Sequence, residues 1–286
     1  MLIYPNAKIN IGLYITEKRK DGFHNIETIF YPINFSDILE IHESNKNKGT
    51  YSFVNYGTPI NCSDENNLIL KAYNLLSDKY KLPAIDIYLQ KIIPMGAGLG
   101  GGSADAAYML RCLNDYFKLN LPKELLKKYA ENLGSDCPFF IENSACFASG
   151  KGEILENIDL SLKNYILVLI KPECKVSTSY AYANIVPQKA KFDLRRLPQL
   201  KIEEWKNYIT NDFEANIFKV YPEISDIKKS LYKAGAIYAS MSGSGSTVYG
   251  IFPKKDTNVY LKEYTNSQAQ FNKLSPELNS KIIWTQ

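Results

Sequence analysis

Pro94-Met95-Gly96-Ala97-Gly98-Leu99-Gly100-Gly101-Gly102-Ser103 puts five glycines into seven residues, directly before the helix-forming run Ala104-Asp105-Ala106-Ala107-Tyr108-Met109-Leu110. Backbone N–H groups close on a polyphosphate only where no side chain intrudes. A helix starting at once afterwards adds four unpaired N–H groups and the positive end of its dipole. Both conditions hold between Gly96 and Ser103, so the stretch reads as an anion-binding loop; a flexible turn explains so many glycines less well. Familiar loop patterns fit poorly. Gly96, Gly98 and Gly101 satisfy G-x-G-x-x-G, but the position ~20 residues on, where a dinucleotide fold needs an acidic residue, falls at Leu121-Pro122. Position 102 is Gly where a Walker A loop has Lys. No Val-Ala-Ile-Lys-like strand, His-Arg-Asp or Asp-Phe-Gly occurs.

Outward from the loop, the N-terminal side is β-rich. Asp37-Ile38-Leu39-Glu40-Ile41, Tyr51-Ser52-Phe53-Val54 and Ile85-Asp86-Ile87-Tyr88-Leu89 predict strands separated by turns. Leu68, Ala72, Leu75 and Leu76 recur at helical spacing and predict an amphipathic helix over 66–79. Beyond the loop, Ser103 opens one helix. Pro122 as a first helical residue and Gly134 as a C-terminal cap predict another over 122–133. Pro138 bars its continuation, leaving Asp136 in a short presented turn. The apolar run Tyr165-Ile166-Leu167-Val168-Leu169-Ile170 reads as a strand buried on both faces. A helix over 222–233, strands over 237–241 and 247–252 around a Gly/Ser loop, and a last strand over 281–284 complete the pattern. The 286 residues are long for one core, and the pattern changes between Glu153 and Asn164, so two domains are predicted, 1–155 and 156–286.

Composition narrows the function class. With 45% hydrophobic and 22% charged residues the chain has material for a sizeable core and the balance of a soluble globular protein. The net charge of +4 is spread along the sequence, which suits an anionic small molecule and argues against nucleic acid as partner. No run approaches the ~18 apolar residues of a membrane span. Met1-Leu2-Ile3-Tyr4-Pro5 lacks the basic start of a secretory signal, so the expectation is a cytoplasmic protein with no membrane partner. Five cysteines without a C-x-x-C pair read as reduced thiols rather than a disulfide framework or a zinc site.

Three separated stretches, in order, resemble the motifs of the GHMP kinases: Pro5-Asn6-Ala7-Lys8-Ile9-Asn10, Pro94 to Ala107, and Ser242-Gly243-Ser244-Gly245-Ser246-Thr247. Asp21-Gly22-Phe23-His24 and Gly134-Ser135-Asp136-Cys137-Pro138-Phe139-Phe140 are similar to the branch of that family whose acceptor is a cytidine diphosphate-linked methylerythritol. The resemblance implies an α+β, two-domain GHMP kinase fold, with an N-terminal domain like domain 2 of ribosomal protein S5 and a ferredoxin-like C-terminal domain. It implies transfer of a phosphoryl group from ATP, with Mg²⁺, to the 2-hydroxyl of that small-molecule substrate, on the non-mevalonate route to isoprenoid precursors. A monomer or weak homodimer is expected. The chain departs from the branch at Phe23, where Tyr is usual, and at Ser135 and Cys137, where Ala and Val are usual. None of these changes removes a group that phosphoryl transfer needs. The competing readings are a kinase for another alcohol, such as homoserine or mevalonate, and a non-catalytic nucleotide-binding protein.

By the same resemblance, Pro94 to Ala104 hold the ATP phosphates, Asp136 takes or orients the hydroxyl proton, and Lys8 keeps that carboxylate ionised and stabilises developing charge. Ser103 ligates Mg²⁺, caps its helix, or does both. Phe23, Phe30 and Tyr182 are the stacking faces for cytosine, with Asn10 and His24 as polar readers. Lys151 neutralises the diphosphate, and Gly243, Ser244 and Gly245 close on the substrate or the phosphates. From the residues alone each also has a plainer reading: a solvated loop aspartate, a snorkelling strand lysine, a surface lysine, core aromatics, a tight hairpin.

Overall fold

A computed structural model describes residues 1–183, 185–254 and 280–285. Its first half runs β1 (Leu2–Ile3), β2 (Asn6–Lys18), β3 (His24–Ser36), β4 (Ile38–Glu43), β5 (Tyr51–Gly57), α1 (Leu68–Tyr80), β6 (Ile85–Lys91), α2 (Gly101–Tyr116), α3 (Lys123–Glu131) and α4 (Cys137–Glu142). Then follow β7 (Cys146–Ser149), β8 (Ile154–Asn157), β9 (Tyr165–Pro172), α5 (Thr178–Ala183), α6 (Trp205–Tyr208), α7 (Glu214–Val220), α8 (Pro222–Lys233), β10 (Tyr238–Met241), β11 (Val248–Pro253) and β12 (Ser280–Thr285). The predicted strands and helices are all present. The mixture of helices and sheets is the α+β class the sequence implied.

Two compact units are built from interleaved segments. The first comprises Met1–Lys8, Asn34–Met95 and Gly100–Ser144, the second Ile9–Ile33, Gly96–Leu99 and Ala145–Gln286. A single cut between residues 155 and 156 does not separate them. Strand partners, rather than neighbours in sequence, decide which unit a segment joins, and β2 and β3 each contribute to both.

In the first unit the sheet order is β1-β4-β6-β5, with β5 and β6 parallel and α1 in the crossover between them. The Asn67 side chain accepts the Ile69 N–H at 3.0 Å and starts α1 there, and Lys81 in the left-handed region ends it. The buried face of α1 is Ile69, Leu70, Ala72, Tyr73 and Leu76, so the stripe is partly out of phase with the predicted one, and Leu68 and Leu75 are only half-buried. The reason is Tyr73. Its hydroxyl donates to the carbonyls of Thr50 and Pro83 at 3.0 and 2.8 Å, which satisfies the polar tip and lets the ring sit inside. Two helix ends also differ from the sequence reading. Pro122 lies just outside α3, and Pro138, rather than closing a helix, opens α4.

In the second unit one sheet has the order β2-β3-β7-β8 and the other the order β10-β11-β9-β12, antiparallel throughout. Leu13, Ile15 and Ile26 of the first sheet share one core with Val168 and Ile170 of β9, Ile224, Ile227 and Leu231 of α8, and Met241 and Val248. Each such side chain is worth about 1.5–3 kcal/mol of burial. That core is the rigid support for the Gly/Ser loop carried by the β10–β11 turn.

Candidate active site

Lys8 and Asp136 both lie in the first unit. Lys8 is 3% exposed, and its Nζ lies 3.2 Å from Asp136 Oδ2. Asp136 stands at the N-cap of α4 in a helical backbone conformation, and its carboxylate makes no capping bond. Its side chain is one-third exposed, so an acidic oxygen is held by an ammonium yet reachable. Gly100 caps α2 with φ of 69°. A Cβ there would sit 3.0 Å from Phe140 Cζ and 3.2 Å from Lys8 Cε, so glycine lets the start of α2 lie directly on the lysine stem.

Ser103 is therefore inside the first turn of α2 rather than its cap. The α2 N-cap forms no side-chain bond, so the capping role read from the sequence falls to the backbone of Gly100. Cys137 lies against the Ser103 hydroxyl; burial pushes its thiol up to about 12, and it stays protonated. Ala104 is buried, and Pro94 and Met95 lead into the loop, Met95 exposed.

The Gly96–Leu99 segment and the Gly/Ser loop meet in the second unit. Ser242 Oγ donates to the Gly98 carbonyl at 2.7 Å and accepts from the Asn10 N–H at 3.2 Å, and Thr247 N–H donates to Ala97 O at 3.3 Å. A Cβ on Gly98 would land on the Ser242 carbonyl oxygen, so glycine is required at that close approach. Ser244 Oγ bonds Thr178 Oγ1 at 3.2 Å. Gly243 and Gly245 both have positive φ.

The residues expected to read a nucleobase fall into two pairs in the same unit. His24 and Tyr182 stack with centroids 5.0 Å apart and 28° between planes, and Tyr182 also meets Phe213 edge-on at 4.9 Å. Lys151 Nζ stands 5.1 Å over the exposed Phe23 ring. Phe30 is deeply placed. It is 1% exposed in β3, opposite Cys146, and presents no ring face to solvent. Asn10 is likewise buried, its Nδ2 donating to Thr28 Oγ1 at 3.1 Å.

The model of the GHMP kinases N terminal domain matches residues 67–144, and that of the GHMP kinases C terminal domain matches residues 193–262. A protein of Bacteroides fragilis named 4-diphosphocytidyl-2-C-methyl-D-erythritol kinase is 52% identical over 256 residues, covering 90% of this chain and 93% of its own. The chain belongs to the GHMP kinases. A Bacteroides thetaiotaomicron protein of the same name is 50% identical over 257 residues, with 90% and 94% covered. Among solved structures, a 4-(cytidine 5'-diphospho)-2C-methyl-D-erythritol kinase superposes with a TM-score of 0.78 at 24% identity, over 100% of this chain and 98% of that one. A Methanococcus jannaschii mevalonate kinase gives 0.70 at 13%, over 100% and 98%. The two-domain GHMP kinase fold expected from the motifs is the fold of this chain.

Two clusters escaped the sequence reading. Lys91, wholly buried at the end of β6, pairs with Asp37 and, at 2.7 Å, with Asp105 Oδ2 in α2, two residues after Ser103. Lys91 Nζ would lie 3.0 Å from a Cβ on Gly101, so the ammonium underlies the first turn of the phosphate-loop helix. Asn211 and Glu214 hold the β10 end of the Gly/Ser loop. No local pattern marks either cluster. The one available signal is an acid, Asp105, in an otherwise small and apolar helical run.

His24 yields a pH prediction. Burial, reinforced by the Lys18 ammonium, holds its imidazole below the usual value, leaving the ring neutral at pH 7 with one donor and one acceptor. An NMR titration of the two histidines, assigned with His24→Gln, is expected to give His24 a midpoint below about 6.5. A higher midpoint would show that the ring is not desolvated.

Proposed function

We propose that this chain transfers the γ-phosphoryl group of ATP to the 2-hydroxyl of 4-diphosphocytidyl-2-C-methyl-D-erythritol in isoprenoid precursor synthesis, in the cytoplasm where ATP is supplied. The observation that carries the reading is the Lys8–Asp136 pair at 3.2 Å, with a carboxylate not spent on capping, beside the N-terminus of α2. The names of relatives about half identical to the chain along nine-tenths of its length support the choice of acceptor.

In this reading Asp136 accepts or orients the proton of the attacking hydroxyl, and Lys8 pairs with the carboxylate and offsets negative charge as the oxygen attacks. Backbone N–H groups from Gly96 to Ser103 hold the phosphates in line, which is most of what phosphoryl transfer asks of a protein. Among the described residues no three His, Cys, Asp or Glu side chains are grouped as a metal site. The Ser103 hydroxyl, in the first turn of α2, would hold a Mg²⁺ together with oxygens of the phosphates and water. Bound so, the ion would supply neutralisation of phosphate charge. At the other end of the acceptor, His24, Tyr182 and Phe23 offer ring faces and polar edges to cytosine, and Lys151 its charge to the diphosphate.

The test is coupled ADP release with Mg-ATP and, in parallel, the cytidylyl acceptor, homoserine, mevalonate and galactose. Turnover confined to the cytidylyl acceptor is the expected result. Turnover with another alcohol alone would remove the cytidine reading and keep the kinase, and none with any acceptor would favour a nucleotide-binding role.

A further inference from the structure

We propose that Asn211 is a positioning residue for nucleotide binding, setting the Gly96–Leu99 part of the phosphate loop through Ser242; this rests on the reading of that loop as the ATP site. Asn211 is 3% exposed and belongs to a backbone segment fastened to β2. Leu13 N–H donates to Thr210 O, and Asp212 N–H donates to Leu13 O, each at 2.9 Å. The Asp212 carboxylate accepts from Ile15 N–H, also at 2.9 Å. From this base Asn211 Nδ2 donates to two carbonyls, Met241 O and Gly243 O, both at 2.8 Å, and Oδ1 accepts the Phe213 N–H at 3.0 Å.

Met241 O belongs to the peptide entering Ser242 and Gly243 O to the peptide leaving Gly243, so the amide holds the backbone before and after Ser242, whose hydroxyl and carbonyl oxygen both lie against Gly98. Ser242 N–H is bonded to Thr247 O at 2.9 Å, which closes the loop on itself. Every hydrogen-bonding position of the Asn211 amide has a use that only a carboxamide meets. A carboxylate would turn an acceptor toward two carbonyl oxygens, and an apolar side chain would leave both carbonyls without this donor.

The experiment measures AMP-PNP affinity by calorimetry, KM for ATP and for the acceptor, kcat and Tm, in wild type, Asn211→Asp and Asn211→Ala. Ile41→Ala, a cavity at a buried position of β4 in the first unit, is the destabilised control. Asn211 variants should weaken AMP-PNP binding and raise KM for ATP by about 10-fold or more, with acceptor KM within about 3-fold. Ile41→Ala should lower Tm and leave both KM values unchanged. Unchanged AMP-PNP affinity in a folded Asn211 variant, or an equal rise in the control, overturns the proposal. If the Asn211 variants do not fold, Ser242→Ala takes their place and must weaken AMP-PNP binding; unchanged affinity there overturns it as well. A wild type that binds no AMP-PNP would instead sink the kinase reading itself.

Discussion

Asp136→Asn should lower kcat by about 10²- to 10⁴-fold while AMP-PNP affinity and Tm stay near wild type. The amide keeps the size and the oxygen that faces Lys8, so the α4 N-terminus has no reason to move. What disappears is the basic oxygen for the acceptor proton and the charge that Lys8 supports. Asparagine keeps an oxygen toward the buried Lys8 ammonium, so melting is a fair control for intact structure. A kcat within a few-fold of wild type would mean that Asp136 neither takes nor orients the proton, and a large fall in Tm would make the kinetic loss uninterpretable as chemistry.

The second large effect is on stability. Lys91→Met should cost about 3–5 kcal/mol, because it leaves the buried carboxyls of Asp37 and Asp105 without their shared cation. Asp37 has further partners in the Ile92 and Ile93 N–H groups, the latter at 2.8 Å, whereas Asp105 Oδ1 is buried without a hydrogen-bond partner among the described residues. Burial pushes the Asp105 carboxyl up to about 8 against the pull of Lys91, with Asp37 adding to the rise. In the unfolded chain the same group titrates near ~3.9. Between those values the folded state holds a proton that the unfolded state has released, so the contribution to stability falls as pH rises through that window. Asp105→Asn removes the titration and should flatten the decline of Tm from pH 5 to 8, with a Tm above wild type at pH 9. Melting of Lys91→Met at the wild-type temperature, or an unchanged pH slope in Asp105→Asn, would show that the three side chains are not a closed buried network.

The residues that declared themselves in sequence are those whose chemistry is complete within a few positions. Gly96 to Ser103 announces a glycine-rich turn with a helix start behind it, and α2 begins at Gly101 with Gly100 as its cap. The β-rich runs around Leu39, Phe53 and Ile87 carry their own signal and became β4, β5 and β6. Where a polar group could be satisfied only by a distant partner, the local signal misled, as with Tyr73 inside α1 or Ser103 within a turn rather than at its cap.

By itself the sequence determined the elements and the glycine loop before α2, and singled out Lys8 and Asp136 as candidates, because periodicity, glycine freedom and motif order are properties of the linear chain. Tertiary structure alone decided which of these meet. It brought Asn10 to Ser242 across 232 residues, set His24 against Tyr182, sealed Phe30 in a sheet and buried Lys91 between two acids. Burial and hydrogen-bond partnership are set by the strand and helix that pack opposite a residue, and no window of sequence around that residue contains them.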